Sequence, residues 1–270
     1  VLSLIIPASN EEGWIGRCLE AVAASDPVPG GLEVIVVANG CRDRTAEVAR
    51  GFAERLAGLQ VLDLMQGSKP GALNAGDQAA KGACRAYLDA DCVLTAPVLA
   101  ALAEALARDD AIYAGATPRV PPARSWITRA YARFWRSLPF NRTVAPGYGL
   151  YAVNAAGRAR WGEFPSIISD DTFVRLQFQP KERVQVAATY DWPMVEGFAA
   201  LVRVRRRQDA GVRELAALQP ALMAREGKPQ LGAGGLIALA LRDPAGFAVY
   251  AAVSATVRLR PGGRTFTRGR

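Results

Sequence analysis

The chain has 270 residues, half of them hydrophobic, and a formal net charge of +8. That length suits one large domain, or one domain with an extension, with enough apolar residues for a sizeable core. Histidine is absent, which excludes Ser-His and Cys-His nucleophile pairs, His-ligated metals and histidine bases together and leaves acid–base chemistry mainly to carboxylates.

In chain order, residues 2–6 read as an apolar strand ending at Pro7, and residues 8–12 as a loop and helix start. Ile15, Leu19 and Val22 give helical spacing over residues 14–24. Residues 33–37 read as a second buried strand, Asn39-Gly40 as a turn, 45–56 as a helix and 61–64 as a third strand. A loop at 67–71 leads into a helix over 72–80, and a strand at 83–88 runs into Asp89-Ala90-Asp91. A helix over 97–107 carries Pro97 in its favourable first turn, followed by a strand near 112–116. Further on come an arginine-bearing helix at 126–138, a glycine loop at 146–149, a strand at 150–153, a helical stretch at 173–178 opened by Ser169-Asp170-Asp171, a strand at 184–189 and a long helix from Glu196 to about Leu218.

This alternation predicts an α/β fold with a doubly wound, mostly parallel sheet. Ligands of such sheets sit beyond the carboxyl ends of the strands, where the loops at Ser9, Asn39, Lys69 and Asp89 fall. On an extended chain Asp89 and Asp91 point to the same side. Magnesium typically takes one or two carboxylates plus phosphate oxygens, so the pair is a candidate for a metal holding a diphosphate, the alternative being a polar turn leading into the helix at Pro97. No Gly-x-Gly-x-x-Gly follows the first strand and no Walker-type loop is present, which disfavours a dinucleotide-binding dehydrogenase. The four cysteines, Cys18, Cys41, Cys84 and Cys92, lack metal-type spacing and read as free thiols in a reducing cytoplasm. The chain opens on Val1 rather than Met, as expected of a trimmed chain, and shows no signal-peptide pattern.

Several blocks, in order, resemble the family 2 glycosyltransferases, nucleotide-sugar transferases of the A-type fold. Pro7-Ala8-Ser9-Asn10-Glu11-Glu12 resembles the family's opening Pro-x-x-Asn-Glu, and Lys69-Pro70-Gly71-Ala72-Leu73-Asn74-Ala75-Gly76 its Lys-x-x-Ala-Leu-Asn-x-Gly. Asp89-Ala90-Asp91 matches its Asp-x-Asp, Gly147-Tyr148-Gly149-Leu150-Tyr151 its acceptor-side glycine loop, and Ser169-Asp170-Asp171 its Thr/Ser-Glu-Asp. The resemblance implies a metal-dependent inverting transferase that moves a sugar from a nucleoside-diphosphate sugar to an acceptor hydroxyl, in polysaccharide or glycolipid assembly. Asp171 would be the general base, with Asp170 raising its pKa by like-charge repulsion. The two acids also suit a helix N-terminus. Asp91 would ligate Mn2+ or Mg2+, Asp89 would contact the ribose or the metal shell, and Arg207 would approach the diphosphate. Pro7, Ser9, Asn10, Glu11 and Asn74 would lie in the substrate site. Lys69 reads either as a solvated loop lysine or as a residue near the phosphates. Tyr148 and Trp161 suit either stacking on an acceptor sugar or core packing.

Two departures stand out. The family's base-reading carboxylate is replaced by Ala38, so Asn39 is the remaining candidate reader, through an amide that both donates and accepts. Val204 and Gln208 interrupt the Gln-x-x-Arg-Trp pattern of processive enzymes, which favours single addition. The expected organisation is a transferase domain over 1–215, with a nucleotide-sugar half at 1–118 and an acceptor half at 119–215, and a helical extension over 216–270. The extension carries apolar runs at 236–241 and 244–257 and arginines at 242, 258, 260, 264, 268 and 270. These suit either a helical extension packed on the domain or a helix on a membrane surface; the expected location is cytoplasmic, at the inner face of the membrane on the second reading. The expected partners are a nucleotide-sugar donor and a saccharide or lipid-linked acceptor, with no nucleic acid. A nucleotidyltransferase and a non-catalytic nucleotide-sugar-binding domain are the alternatives.

Overall fold

The computed structural model describes residues 1–227, 229 and 231–259. Packing forms two compact units, Val1–Arg119 with Val144–Trp192, and Val120–Thr143 with Pro193–Arg270. These units interleave along the chain, whereas the blocks expected from sequence are contiguous.

The first unit is built on β1 (Leu2–Ala8), β2 (Leu32–Asn39), β3 (Gln60–Leu64), β4 (Cys84–Leu88), β5 (Val93–Leu94), β6 (Tyr113–Arg119), β7 (Leu150–Val153) and β8 (Arg183–Asp191). They form one sheet in the order β3-β2-β1-β4-β7-β6-β8-β5. The block β3-β2-β1-β4 is parallel throughout, β6 and β8 are also parallel, and β7 and β5 pair antiparallel with their neighbours. β1 is buried along its whole length and β2 nearly so. A strand covered on both faces reads as an unbroken apolar run, which is why both are legible in the sequence.

Helices are numbered along the whole chain; the first unit holds α1 (Glu12–Ala23), α2 (Thr45–Arg50), α3 (Lys69–Ala79), α4 (Val98–Leu106), α6 (Ala155–Arg158) and α7 (Asp170–Leu176). α1 buries Ile15, Cys18, Leu19 and Val22, and α4 buries Val98, Leu99, Leu102 and Leu106, in one core with the strands. Each such leucine contributes about 1.5–3 kcal/mol of burial. The helix expected over 45–56 ends at Arg50 because Gly51 follows, and the rest is turns. The helix expected at 173 starts at Asp170 instead. Asp170 and Asp171 therefore occupy its first turn, where the helix dipole favours negative charge.

The second unit holds α5 (Trp126–Ser137), α8 (Phe198–Leu218), α9 (Pro220–Met223), α10 (Ala233–Arg242) and α11 (Pro244–Leu259). Tyr131 of α5, Leu201 and Val202 of α8, and Val253 and Val257 of α11 form its core. The Glu196 carboxylate accepts the backbone N–H groups of Arg124 and Ser125, each at 2.8 Å, and so ties the start of α5 to the segment before α8. Among the described residues no helix is long and apolar enough to cross a membrane. The arginines at 260, 264, 268 and 270 lie outside the described residues.

Candidate active site

At the carboxyl end of the parallel block, the first turn of α3 meets the end of β4. Ser68 caps α3 by accepting the Gly71 N–H at 3.2 Å, and Pro70 sits in the first turn, so Lys69 is fixed as the first helical residue. Its ammonium donates to Asp89 Oδ1 at 2.9 Å and lies 3.1 Å from Asp170 Oδ1. Lys69 and Asp89 are each about one-third exposed, whereas the Asp170 side chain is 5% exposed. Burial disfavours the lysine charge, but Asp170, Asp89 and Asp171 outweigh it and raise the Lys69 pKa above its ordinary value. Lys69 is therefore a charged bridge between the strand end and α7, not a solvated loop residue.

Asp171 follows Asp170 in the first turn of α7, and its Oδ1 accepts the Thr172 N–H at 2.6 Å. Desolvation, and then the charge of Asp170, raise its pKa, with Lys69 acting in the opposite direction. A carboxylate with a raised pKa is a stronger base, closer to what proton abstraction at neutral pH requires. Pro7, Lys69, Asp89, Gly147, Gly149, Tyr151, Asp170 and Asp171 are among the residues lining one pocket.

The glycine loop closes this pocket. The Asp89 N–H donates to Gly149 O at 2.8 Å. Gly149 has φ +69°, and a Cβ there would come within 2.7 Å of Cys92 Sγ and 3.3 Å of Asp89 Oδ2. Gly147 has φ +83°, and a Cβ there would run into the Tyr113 hydroxyl. Both positions thus require glycine, for conformation and for space.

Behind the pocket stands a tyrosine stack that sequence reasoning assigned no role. Tyr87 and Tyr151 face each other across β4 and β7, with ring centroids 4.9 Å apart, and Tyr113 lies 6.1 Å beyond Tyr151. The Tyr151 hydroxyl donates to Asp170 Oδ2 at 3.1 Å, and burial holds its pKa well above the ordinary value. Tyr87 donates to Asp77 at 2.8 Å, and Asp77 also pairs with Arg85 and Arg158. The available signal was tyrosine in strands that otherwise read as wholly buried, since a buried phenol needs a hydrogen-bond partner.

Other expected residues serve the frame. Asn39 is 4% exposed; its amide donates to Ala8 O at 2.9 Å and accepts the Ser68 N–H at 3.1 Å, locking β1, β2 and the cap of α3 together. Asn74 donates to Phe164 O at 3.1 Å and accepts the Phe164 N–H at 2.7 Å. Asn10 adopts φ +54°, and its side chain accepts the Arg42 N–H at 2.7 Å. The Glu11 N–H donates to Thr45 Oγ1 at 2.8 Å, and Ser9 is half-buried in the same loop. Trp161 packs against Phe164 and Phe173, while Tyr148 stacks on Trp192 at 5.3 Å. Arg207 lies half-buried on α8 of the second unit. All four cysteines are free thiols.

Asp89 and Asp91 are not on an extended chain. Cys92 N–H bonds back to Asp89 O at 3.0 Å, so Ala90 and Asp91 form a turn, and the same-side argument from strand geometry does not apply. Among the described residues no three Asp, Glu, Cys or His side chains are grouped to hold a metal ion. The chemistry of the donor set nonetheless fits a hard divalent cation that completes its shell with phosphate oxygens. Asp89 and Asp91 share one turn, and the neighbouring Asp170 and Asp171 leave Lys69 outnumbered by carboxylates.

The same fold is found in a mannosyltransferase, PcManGT from Pyrobaculum calidifontis, solved with GDP-Man and Mn2+ (TM-score 0.61, 20% identity, 97% of this chain and 76% of that one). It recurs in S. aureus TarS 1-349 with UDP-GlcNAc (TM-score 0.58, 17% identity, 96% and 76% covered). A third case is glucosyl-3-phosphoglycerate synthase from Mycobacterium tuberculosis with Mn2+, UDP and glucosyl-3-phosphoglycerate (TM-score 0.54, 17% identity, 86% and 82% covered). The architecture is thus that of the A-type glycosyltransferases. Residues 3–163, more than half of the chain, match glycosyl transferase family 2, and the chain belongs to that family. Glycosyltransferase AglE of Haloferax volcanii is 42% identical over 93 residues, 34% of this chain and 30% of AglE. The Bacillus subtilis glycosyltransferase EpsJ, described as uncharacterized, is 29% identical over 104 residues, 38% of this chain and 30% of EpsJ. Each match spans less than a third of these curated relatives' length.

Proposed function

We propose that this chain moves a glycosyl group from a nucleoside-diphosphate sugar to an acceptor hydroxyl, with inversion at the anomeric carbon, in polysaccharide or glycolipid assembly. The observation that carries the reading is the Lys69 ammonium tied to both Asp89 and Asp170, beside the base-like Asp171, in a pocket at the carboxyl edge of the sheet. Asp171 takes the proton of the acceptor hydroxyl as its oxygen attacks the anomeric carbon. The bond to the diphosphate breaks with its electron pair going to the departing phosphate. Lys69 is a cation at this pocket suited to that developing charge.

A bound Mg2+ or Mn2+ would add Lewis-acid stabilisation of the leaving diphosphate, with Asp91 as its protein ligand and Asp89 beside it. Mn2+ bound together with GDP-Man in PcManGT, and with UDP in the mycobacterial synthase, supports this choice. Pro7, Ser9, Asn10 and Glu11 form the donor-side loop. Asn39 and Asn74 are proposed on the substrate side as well, with amides that also hold that loop and α3 in place. Residues 1–215 would act as the transferase domain and 216–270 as its extension, at the inner face of the cytoplasmic membrane, on a saccharide or lipid-linked acceptor.

The test is a panel of UDP-, GDP-, CDP- and ADP-sugars with either metal, scored for nucleotide release and for the configuration of the product. The expected result is turnover of at least one donor, lost in chelator, with the anomeric configuration inverted. Retained configuration would overturn the one-step mechanism. Binding without turnover would leave a non-catalytic nucleotide-sugar domain, and transfer of the nucleotidyl group would point to a nucleotidyltransferase.

A further inference from the structure

The two apolar runs near the C-terminus have opposite fates. α11 packs against α5 and α8 and buries Gly246, Val253 and Val257. α10 buries no residue at all. Ile237 and Leu241, one turn apart, are 60% and 78% exposed, and Leu236 is exposed beside them. Among the described residues, nothing covers the face of α10 that carries Ile237 and Leu241. Ten residues make a helix of about 15 Å, half of what a span requires, so α10 can lie on a membrane but cannot cross one.

A second feature borders it. On α5, Trp126, Arg129, Arg133 and Arg136 recur at helical spacing and are all exposed, opposite the buried Thr128, Tyr131 and Phe134. Arg133 donates twice to Asp243, at 2.8 Å each, and Asp243 is the residue between α10 and α11. That ion pair joins the arginine face of α5 to the C-terminal end of α10, where Arg242 is also exposed. Charge is segregated on the same lines. Residues 120–143 and 193–270 carry 18 Lys and Arg against 5 Asp and Glu, whereas the first unit carries 15 against 20.

We propose that this face of the second unit docks on the surface of an anionic lipid bilayer. α10 lies among the headgroups, Trp126 sits at the interface, and Arg129, Arg136 and Arg242 meet lipid phosphates. A second copy of the chain could cover the leucines, but it would bring its own arginines against these. An anionic bilayer satisfies the apolar helix and its basic border together. The assignment rests on the second unit alone and stands whatever donor or acceptor the first unit uses.

The experiment is co-sedimentation of the full chain with vesicles of phosphatidylcholine, alone or mixed with phosphatidylglycerol, at low and high salt. Binding should need the anionic lipid and weaken with salt. Ile237→Glu/Leu241→Glu and, independently, Arg129→Glu/Arg136→Glu should each lower it by roughly tenfold or more. Thermal melting should show both variants folded, as expected for exposed positions. Three outcomes would overturn the proposal: the intact chain staying in the supernatant with both vesicle types, variants that bind as the parent does, or a dimer in light scattering that Ile237→Glu/Leu241→Glu dissociates.

Discussion

The acidic edge of the first unit and the arginine face of the second use charge in opposite ways. At the sheet edge, the Lys69 ammonium lies within 3.1 Å of two carboxylates, and the almost fully buried one, Asp170, also accepts a tyrosine hydroxyl. Few groups are involved, and each is fixed by packing. On α5 and α10 the charges are spread over an exposed surface, with Arg133–Asp243 tying the two elements together. Chemistry on a single proton needs the first arrangement, because a misplaced base loses its reach. Attraction to an extended surface needs only the second, and salt screens it.

The sharpest way to break this contrast is Asp171→Asn. Transfer should fall about 10²–10⁴-fold, with nucleotide affinity by calorimetry nearly unchanged and vesicle binding untouched. If Asp170→Asn is instead the silencing variant, the base is the wrong member of the pair. Gly149→Ala comes next. It places a Cβ against Cys92 and Asp89 at φ +69°, so strain of about 1–3 kcal/mol is expected, measured as a lower melting temperature together with reduced turnover.

Asn74→Ala should act mainly on stability. It strands the N–H and C=O of Phe164 and should cost about 1–2 kcal/mol, while the KM for donor in the purified, folded variant stays near the parent value. The smallest effect belongs to Arg160→Ala. Its hydrogen bonds to Glu182 lower that carboxylate's pKa to about 2. The folded-state pKa is depressed, so the pair's contribution is present above the ordinary glutamate value of about 4.3 and is lost as pH falls through about 2. Melting near neutral pH should show a loss of about 0.5–1 kcal/mol, and near pH 2 almost none.

Much of the first unit was legible because its strands are continuous apolar runs and its functional loops follow them. β5 was not, since two residues leave no period to read. The acids, Lys69 and the glycine loop could be named from sequence, but which polar residues face a ligand could not. Asn39 and Asn74 sit in motif positions yet spend their amides on backbone. Tyr151 closes the glycine-loop block, but its contact with Asp170 is not legible there, since it depends on the pairing of β4 with β7 and on the placement of α7. The two C-terminal apolar runs looked alike in sequence; only packing separates the buried α11 from the exposed α10.

Asp171 as the base, tuned by desolvation and by Asp170 and restrained by Lys69, is tested most directly by the pH dependence of single-turnover transfer. The deprotonated form is the active one, so the rate should fall as pH drops through a pKa above the ordinary aspartate value of about 4. Lys69 lowers the Asp171 pKa, so Lys69→Met should move that acid limb to higher pH. An acid limb at the ordinary aspartate value, or one that survives Asp171→Asn unchanged, would contradict the assignment.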